Sequence, residues 1–303
     1  MLGFGRYARI ISYIYCRCCS RIYASCSPAD ETRRDDASWF LFARGSFPLG
    51  RRDTIMACTT LRRGSRASEV RVLQRALNWH GPTALARLAA DGDFGPLTAG
   101  RVREFQGQKG LTQDAVVGNR THSRLCPVWD DIIHLLEHEV GFIRFSYAGH
   151  HITPGSLANI GGLIRQYRID ICCQPGLQLR YYPVSNRIEL SWITVLSPRD
   201  KASVIHEACH AVSDVQRARI WVPTAEAIAF VAQALFLLHH GQPPRPGLDA
   251  QARNISNQAR AIARTIRRGG APTTTQWQQL EAVILAHRDY RNKGRFRQFD
   301  GVL

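Results

Sequence analysis

His206-Glu207-Ala208-Cys209-His210 decides how the rest of the chain is read, because it sets two imidazoles and a carboxylate at the spacing a catalytic zinc ion requires. Positions i and i+4 of a helix lie on one face one turn apart. His206 and His210 can therefore share one metal ion while Glu207 flanks the coordination position left open, the arrangement of an HExxH motif. The flanks predict the helix. Ser197 is a candidate N-cap with Pro198 at the first helical position and Asp200 three residues after the cap. Ala202, Ile205, Cys209 and Val212 then continue as an apolar stripe at helical spacing.

Catalytic zinc sites generally use three protein ligands. Downstream, Pro223-Thr224-Ala225-Glu226 opens a second predicted helix that is apolar almost all round until Gly241. A helix of that composition is normally buried, and an ionised carboxylate is costly to bury unless a cation or strong donors face it. Glu226 is the expected third ligand. The competing explanation is that a first-turn acid simply suits the positive end of its helix dipole.

This combination resembles the gluzincin zinc peptidases, and His210-Ala211-Val212-Ser213-Asp214 is similar to the His-Ala-Val-Thr-Asp run of thermolysin-like enzymes. The resemblance implies Zn2+ held by His206, His210 and Glu226, with Glu207 as general base. The chain departs from that subfamily in a shorter interval to Glu226. It also has Phe230 where an Asp that orients a ligand would follow one turn after the third ligand. That orienting role then falls to another residue, and Asp214 is the candidate. His287 shares the apolar face of a later predicted helix with Trp277, Leu280 and Ile284, so it is either an oxyanion donor or a satisfied core histidine.

Two other metal readings are weaker. Metzincins extend the motif with a Gly and a third His, whereas here those positions hold Ser213 and Gln216. His134-Leu135-Leu136-Glu137-His138 spells the inverted HxxEH motif, but a surface helix rich in His and Glu explains it as well.

A second resemblance covers residues 58–127. Val70, Leu73 and Leu77 make a helical stripe, Asp91-Gly92-Asp93-Phe94-Gly95-Pro96 makes a turn, and Val102 with Phe105 begins another helix. The Asp-Gly-x-Phe-Gly-Pro-x-Thr run resembles the small three-helix peptidoglycan-binding domain found beside many wall hydrolases. Gly95-x-x-Thr98 recurs as Gly118-x-x-Thr121, that family's internal echo. Ala115 and Asn119 replace the usual Gly and Pro of the second turn.

Composition sets outer limits. A chain of 303 residues with 45% hydrophobic content can bury a core and has room for two modest domains. The formal net charge of +16 favours polyanionic surroundings such as wall polymers, an anionic membrane surface or nucleic acid, though charge alone selects no ligand. No uninterrupted apolar run is long enough to predict a transmembrane segment. The nine cysteines show neither metal-knuckle spacing nor a disulfide framework. Cys126 is either an inert domain-end cysteine or, by analogy with the inhibitory cysteine of matrixin precursors, a thiolate that caps the zinc. Residues 1–57 fit no domain pattern and are read as disordered or as an upstream extension before a start at Met56.

The expected fold is mainly α with a smaller β component (α+β): a three-helix peptidoglycan-binding domain over 58–127, then a zincin-like metallopeptidase domain over 128–303. Leu177–Tyr182 and Arg187–Ile193 are expected to form a hairpin, with Ile188–Trp192 as the edge strand along a substrate cleft. The expected activity is zinc-dependent hydrolysis of peptide bonds in peptidoglycan peptides or wall-associated proteins, outside the cytoplasm, with no specific nucleic acid partner. The alternatives are a non-catalytic wall-binding protein whose zinc site is structural or absent, and a general secreted protease anchored to the wall.

Overall fold

The computed structural model describes residues 58–81, 87–291 and 295–302. The expectation for residues 1–57 therefore lies outside the described residues. Among these, the chain is mainly helical with a smaller β component.

The first three helices are α1 (Ser68–His80), α2 (Pro96–Gln108) and α3 (Asn119–Leu125). They close over one apolar cluster built from Val70, Leu73 and Leu77 of α1, Phe94, Val102 and Phe105 around α2, and Val117 and Leu125 around α3. Two buried glutamines hold the turns between them. Gln74 Nε2 donates to Asp91 Oδ1, to the Asp93 carbonyl and to Thr98 Oγ1, and Gln74 Oε1 accepts the Gly92 N–H. Gln106 repeats the pattern on Asp114 Oδ1, the Val116 carbonyl and Thr121 Oγ1, while accepting the Ala115 N–H. The echo seen in sequence is thus a pair of equivalent turns, each satisfying a buried amide.

The second half begins with α4 (Trp129–His138), the hairpin β1 (Phe145–Tyr147) and β2 (His150–Ile152), and α5 (Pro154–Arg165). A three-stranded sheet follows from β3 (Asp170–Cys173), β4 (Arg180–Tyr182) and β5 (Arg187–Leu190), in the order β3-β5-β4. The β4–β5 hairpin forms as expected, with Asn186 at φ 47° closing its turn. Its edge assignment is corrected. β5 is central, because β3 pairs with it in parallel from Asp170↔Arg187 to Cys173↔Leu190, and all four β5 residues are buried. The exposed edge belongs to β4, so a peptide cannot add to Ile188–Leu190 by main-chain bonds.

The remaining elements are α6 (Pro198–Val215), β6 (Arg219–Trp221), α7 (Val222–His239), α8 (Ala250–Arg267), α9 (Thr274–Ala286) and β7 (Phe296–Gln298), which pairs with β6. α7 packs against α6, α8 and α9. It is long and apolar enough to cross a membrane by length and composition, yet 67% of it is buried within the protein, as befits a core helix.

A seam joins the two halves. α3 packs on β3, where Ser123 Oγ accepts the Ile171 N–H at 3.0 Å and Asn119 donates to Asp170 at 2.7 Å. Cys58 and Cys172 form a disulfide across it, although the cysteine spacing offers no disulfide framework. Spacing alone cannot reveal a bond between residues 114 positions apart. Cys126 lies buried at the same seam, where burial pushes its thiol pKa up and it shares a hydrogen bond with Cys173. That is the inert role, not the zinc-capping one.

Gly92 adopts φ +86°, and Ala115 is held at φ +60° in the equivalent turn. A left-handed conformation costs a non-glycine residue roughly 1–2 kcal/mol, partly offset by the greater chain entropy that glycine loses on folding. Ala115→Gly should raise stability by up to about 1 kcal/mol. A urea denaturation midpoint that stays put or falls would show that this turn is not strained.

Candidate metal centre

α6 starts where its sequence predicts. Ser197 Oγ accepts the Asp200 N–H at 3.2 Å and Asp200 Oδ2 accepts the Ser197 N–H at 2.9 Å, a reciprocal capping box. Ala202, Ile205, Cys209 and Val212 are buried, and the helix brings His206 and His210 to one face with their rings 5.2 Å apart. Glu226 comes from α7. It is the fifth residue of that helix, beyond the first turn, so its placement does not reduce to the helix dipole.

The three side chains converge. His206 Nε2 lies 3.4 Å from Glu226 Oε2, His210 Nε2 lies 3.6 Å from Glu226 Oε1, and one ligand atom from each residue lies within 4.8 Å of the others. Donors bound at about 2.0–2.2 Å to a tetrahedral zinc ion stand roughly 3.3–3.6 Å from one another. Each imidazole lies at that distance from one of the two Glu226 oxygens, and the donor set of two nitrogens with a carboxylate suits zinc. No other cluster of three metal-ligating side chains occurs among the described residues.

Electrostatics agree with the geometry. Burial drives His210 down to about 4, so its ring stays neutral and able to ligate. Burial also opposes the charged form of His206, but the hydrogen bond to Glu226 and the nearby carboxylates outweigh it and raise this pKa. Phe230 packs edge-on against the His206 ring at a centroid distance of 4.7 Å. Gln233, two turns beyond Glu226 on α7, accepts a side-chain hydrogen bond from the His206 ring. The sequence reading missed Gln233. An aromatic wedge and an amide therefore hold the imidazole where an Asp was expected.

Glu207 sits apart from that trio. Its Oε2 accepts the Tyr181 N–H from β4 at 2.8 Å, and burial pushes its carboxyl up to about 7 against the opposing influences of His206 and that bond. Asp214, fully buried, accepts from the Tyr181 hydroxyl at 2.6 Å and from the Gly301 N–H at 2.9 Å. Asp214 thus fixes the residue that fixes Glu207.

His287 caps α9 with its ring turned toward Asp289 and Tyr290, its Nδ1 accepting the Asp289 N–H at 3.3 Å. The residue at the metal trio is Tyr290, whose hydroxyl donates to Glu226 Oε2 at 3.3 Å. Burial and the adjoining carboxylates keep the phenol protonated. Nothing in the local sequence marked Tyr290, which lies 64 positions from its partner. The inverted motif falls on a surface helix: the His134 and His138 side chains are 63% and 62% exposed, and Glu137 pairs with Arg165.

Residues 66–125 match the family model described as "Putative peptidoglycan binding domain". The chain carries a peptidoglycan-binding domain. A Zinc D-Ala-D-Ala carboxypeptidase of Streptomyces albus G is 39% identical to this chain over 72 residues, which are 24% of this chain and 28% of that protein. The likeness lies in the region of the peptidoglycan-binding domain, so the chain spans little more than a quarter of that relative. No solved structure matches the chain.

Tyr181→Phe removes the short hydroxyl donor, at 2.6 Å, to the buried Asp214 carboxylate. An unsatisfied buried acceptor costs about 1–3 kcal/mol, so the variant should unfold at lower denaturant by that amount. An unchanged midpoint would mean that Asp214 is satisfied without Tyr181.

Proposed function

We propose that the chain is a zinc-dependent peptidase of the bacterial cell wall, acting outside the cytoplasm on peptide bonds of peptidoglycan or of wall-associated proteins. The convergence of His206, His210 and Glu226 beside the separately held Glu207 carries this reading. The peptidoglycan-binding domain supports the location, and its likeness to part of a zinc D-Ala-D-Ala carboxypeptidase supports a zinc peptidase as the partner of such a domain. In this reading the peptidoglycan-binding domain spans 58–127 and the peptidase domain 128–303.

His206, His210 and Glu226 would hold the zinc, whose Lewis acidity polarises the scissile carbonyl and makes water acidic. The protein's own groups do the rest. Glu207 takes the proton of the attacking water and delivers it to the departing amine. Its raised pKa places it close to neutral pH, where both proton uptake and release are feasible. The Tyr181 N–H fixes the aim of that carboxylate. Tyr290, kept protonated beside Glu226, would turn its hydroxyl to donate to the oxygen that becomes negative during attack. A purely structural zinc site has no use for a second carboxylate held apart by the Tyr181 N–H, and that favours catalysis over a non-catalytic wall binder.

The purified chain should contain about one zinc ion, and His206→Ala or His210→Ala should abolish both the metal and the hydrolysis of muropeptides. Glu207→Gln should keep the zinc but lose about 10²–10⁴-fold in kcat. Stoichiometric zinc in the double histidine variant, or near-normal turnover in Glu207→Gln, would overturn the reading. Casein cleavage without release of muropeptide fragments would instead indicate a general protease anchored to the wall.

Tyr290→Phe should retain zinc and leave KM near its original value, while kcat falls by about tenfold to a thousandfold. An unchanged kcat would limit Tyr290 to holding Glu226.

A further inference from the structure

α1 exposes one stripe, Arg71, Arg75 and Trp79, at intervals of four. Trp79 is 50% exposed, although the same helix buries Leu73 and Leu77 beneath it. Its ring meets Trp192, which arrives from the other half of the chain two residues after β5, at a centroid distance of 6.2 Å with the planes 87° apart. Trp192 is partly buried against the core of the three-helix module. Two perpendicular indoles from the two modules therefore meet in a corner at the seam, Trp79 half exposed and Trp192 partly buried.

The corner is fixed relative to the metal centre. The Cys58–Cys172 disulfide and the Ser123–Ile171 bond hold the module on β3, and β3 pairs with β5. Ile188 of β5 lies opposite Tyr181, the residue whose N–H holds Glu207. Four residues separate Ile188 from Trp192, a span of at most about 14 Å.

We propose that Trp79 and Trp192 form a carbohydrate subsite that takes a pyranose ring of the glycan strand whose attached peptide reaches His206, His210 and Glu226. The C–H face of a sugar packs on an indole face, and perpendicular indoles present a second wall to the same ring. Ligand sites lined by aromatic side chains with a few polar groups occur preferentially between domains. Arg75, exposed one turn before Trp79, supplies positive charge toward the carboxylates of a peptide-bearing glycan. The choice of substrate rests on the wall-peptidase reading, whereas the subsite itself is tested without hydrolysis.

The test is calorimetric titration of the full chain with peptide-free peptidoglycan glycan strands. The unaltered protein is expected to bind them, and Trp79→Ala and Trp192→Ala to weaken binding at least fivefold, with Trp192→Phe recovering part of the loss. Trp79 is half exposed, so Trp79→Ala should leave a single cooperative unfolding transition and an unchanged zinc content, and it reads the subsite alone. Absence of glycan binding by the unaltered chain, or equal binding by Trp79→Ala, overturns the proposal. Hydrolysis of a sugar-free peptide fragment by the same variants separates the two ideas. Loss of glycan binding without hydrolysis in any protein keeps the subsite and rejects the peptidase, and the reverse pattern does the opposite.

Discussion

Burying a carboxylate beside two imidazoles is the constraint on which the rest of the architecture depends. Glu226 leaves most of its water in the company of two buried histidines. Without a shared cation, one of the three must carry a proton to limit the desolvation cost. The surroundings are built to hold this arrangement. α7 is apolar on nearly every side because α6, α8 and α9 enclose it, which gives Glu226 a fixed platform. Phe230 and Gln233 keep the His206 ring from turning away.

Glu207 is positioned by a different part of the chain. Glu207 depends on β4, β4 is tied through Tyr181 to Asp214, and Asp214 is also bound by the Gly301 N–H near the C-terminus. Tyr290, from the segment after α9, closes the opposite side of the trio at Glu226. Segments from residue 181 to residue 301 thus converge on one α6 helix. The wall-binding module is joined to the same sheet by α3 and a disulfide rather than by an open tether. Closing a loop of 114 residues restricts the unfolded chain, and disulfides of this kind typically contribute about 2–4 kcal/mol.

Local signals in the sequence located the helix that matters. The Ser197 cap with Asp200, the apolar stripe of α6 and the all-apolar helix carrying Glu226 are written within windows of a few residues, and each is present in the fold. The turns of the wall-binding module were equally legible, although the two glutamines that organise them were not singled out. Long-range pairing was not legible. Alternation in β5 could not distinguish a central from an edge strand, because its neighbour β3 is an Ile-Cys-Cys segment with no clear period. Cys58–Cys172, Tyr181–Asp214 and Glu226–Tyr290 join residues too distant for spacing to carry information. His287 was chosen for its apolar face and proved to cap the turn that delivers Tyr290.

The central claim is that a zinc ion on His206, His210 and Glu226 serves peptide hydrolysis in the wall. Its most direct test is digestion of isolated sacculi by the purified chain, with and without a chelator, followed by analysis of the released fragments. The account predicts new amine and carboxylate termini within the peptides, an intact glycan, loss of release with chelator and recovery when zinc is restored. Release that persists in chelator, cleavage confined to glycosidic bonds, or no release in the presence of stoichiometric zinc would contradict it.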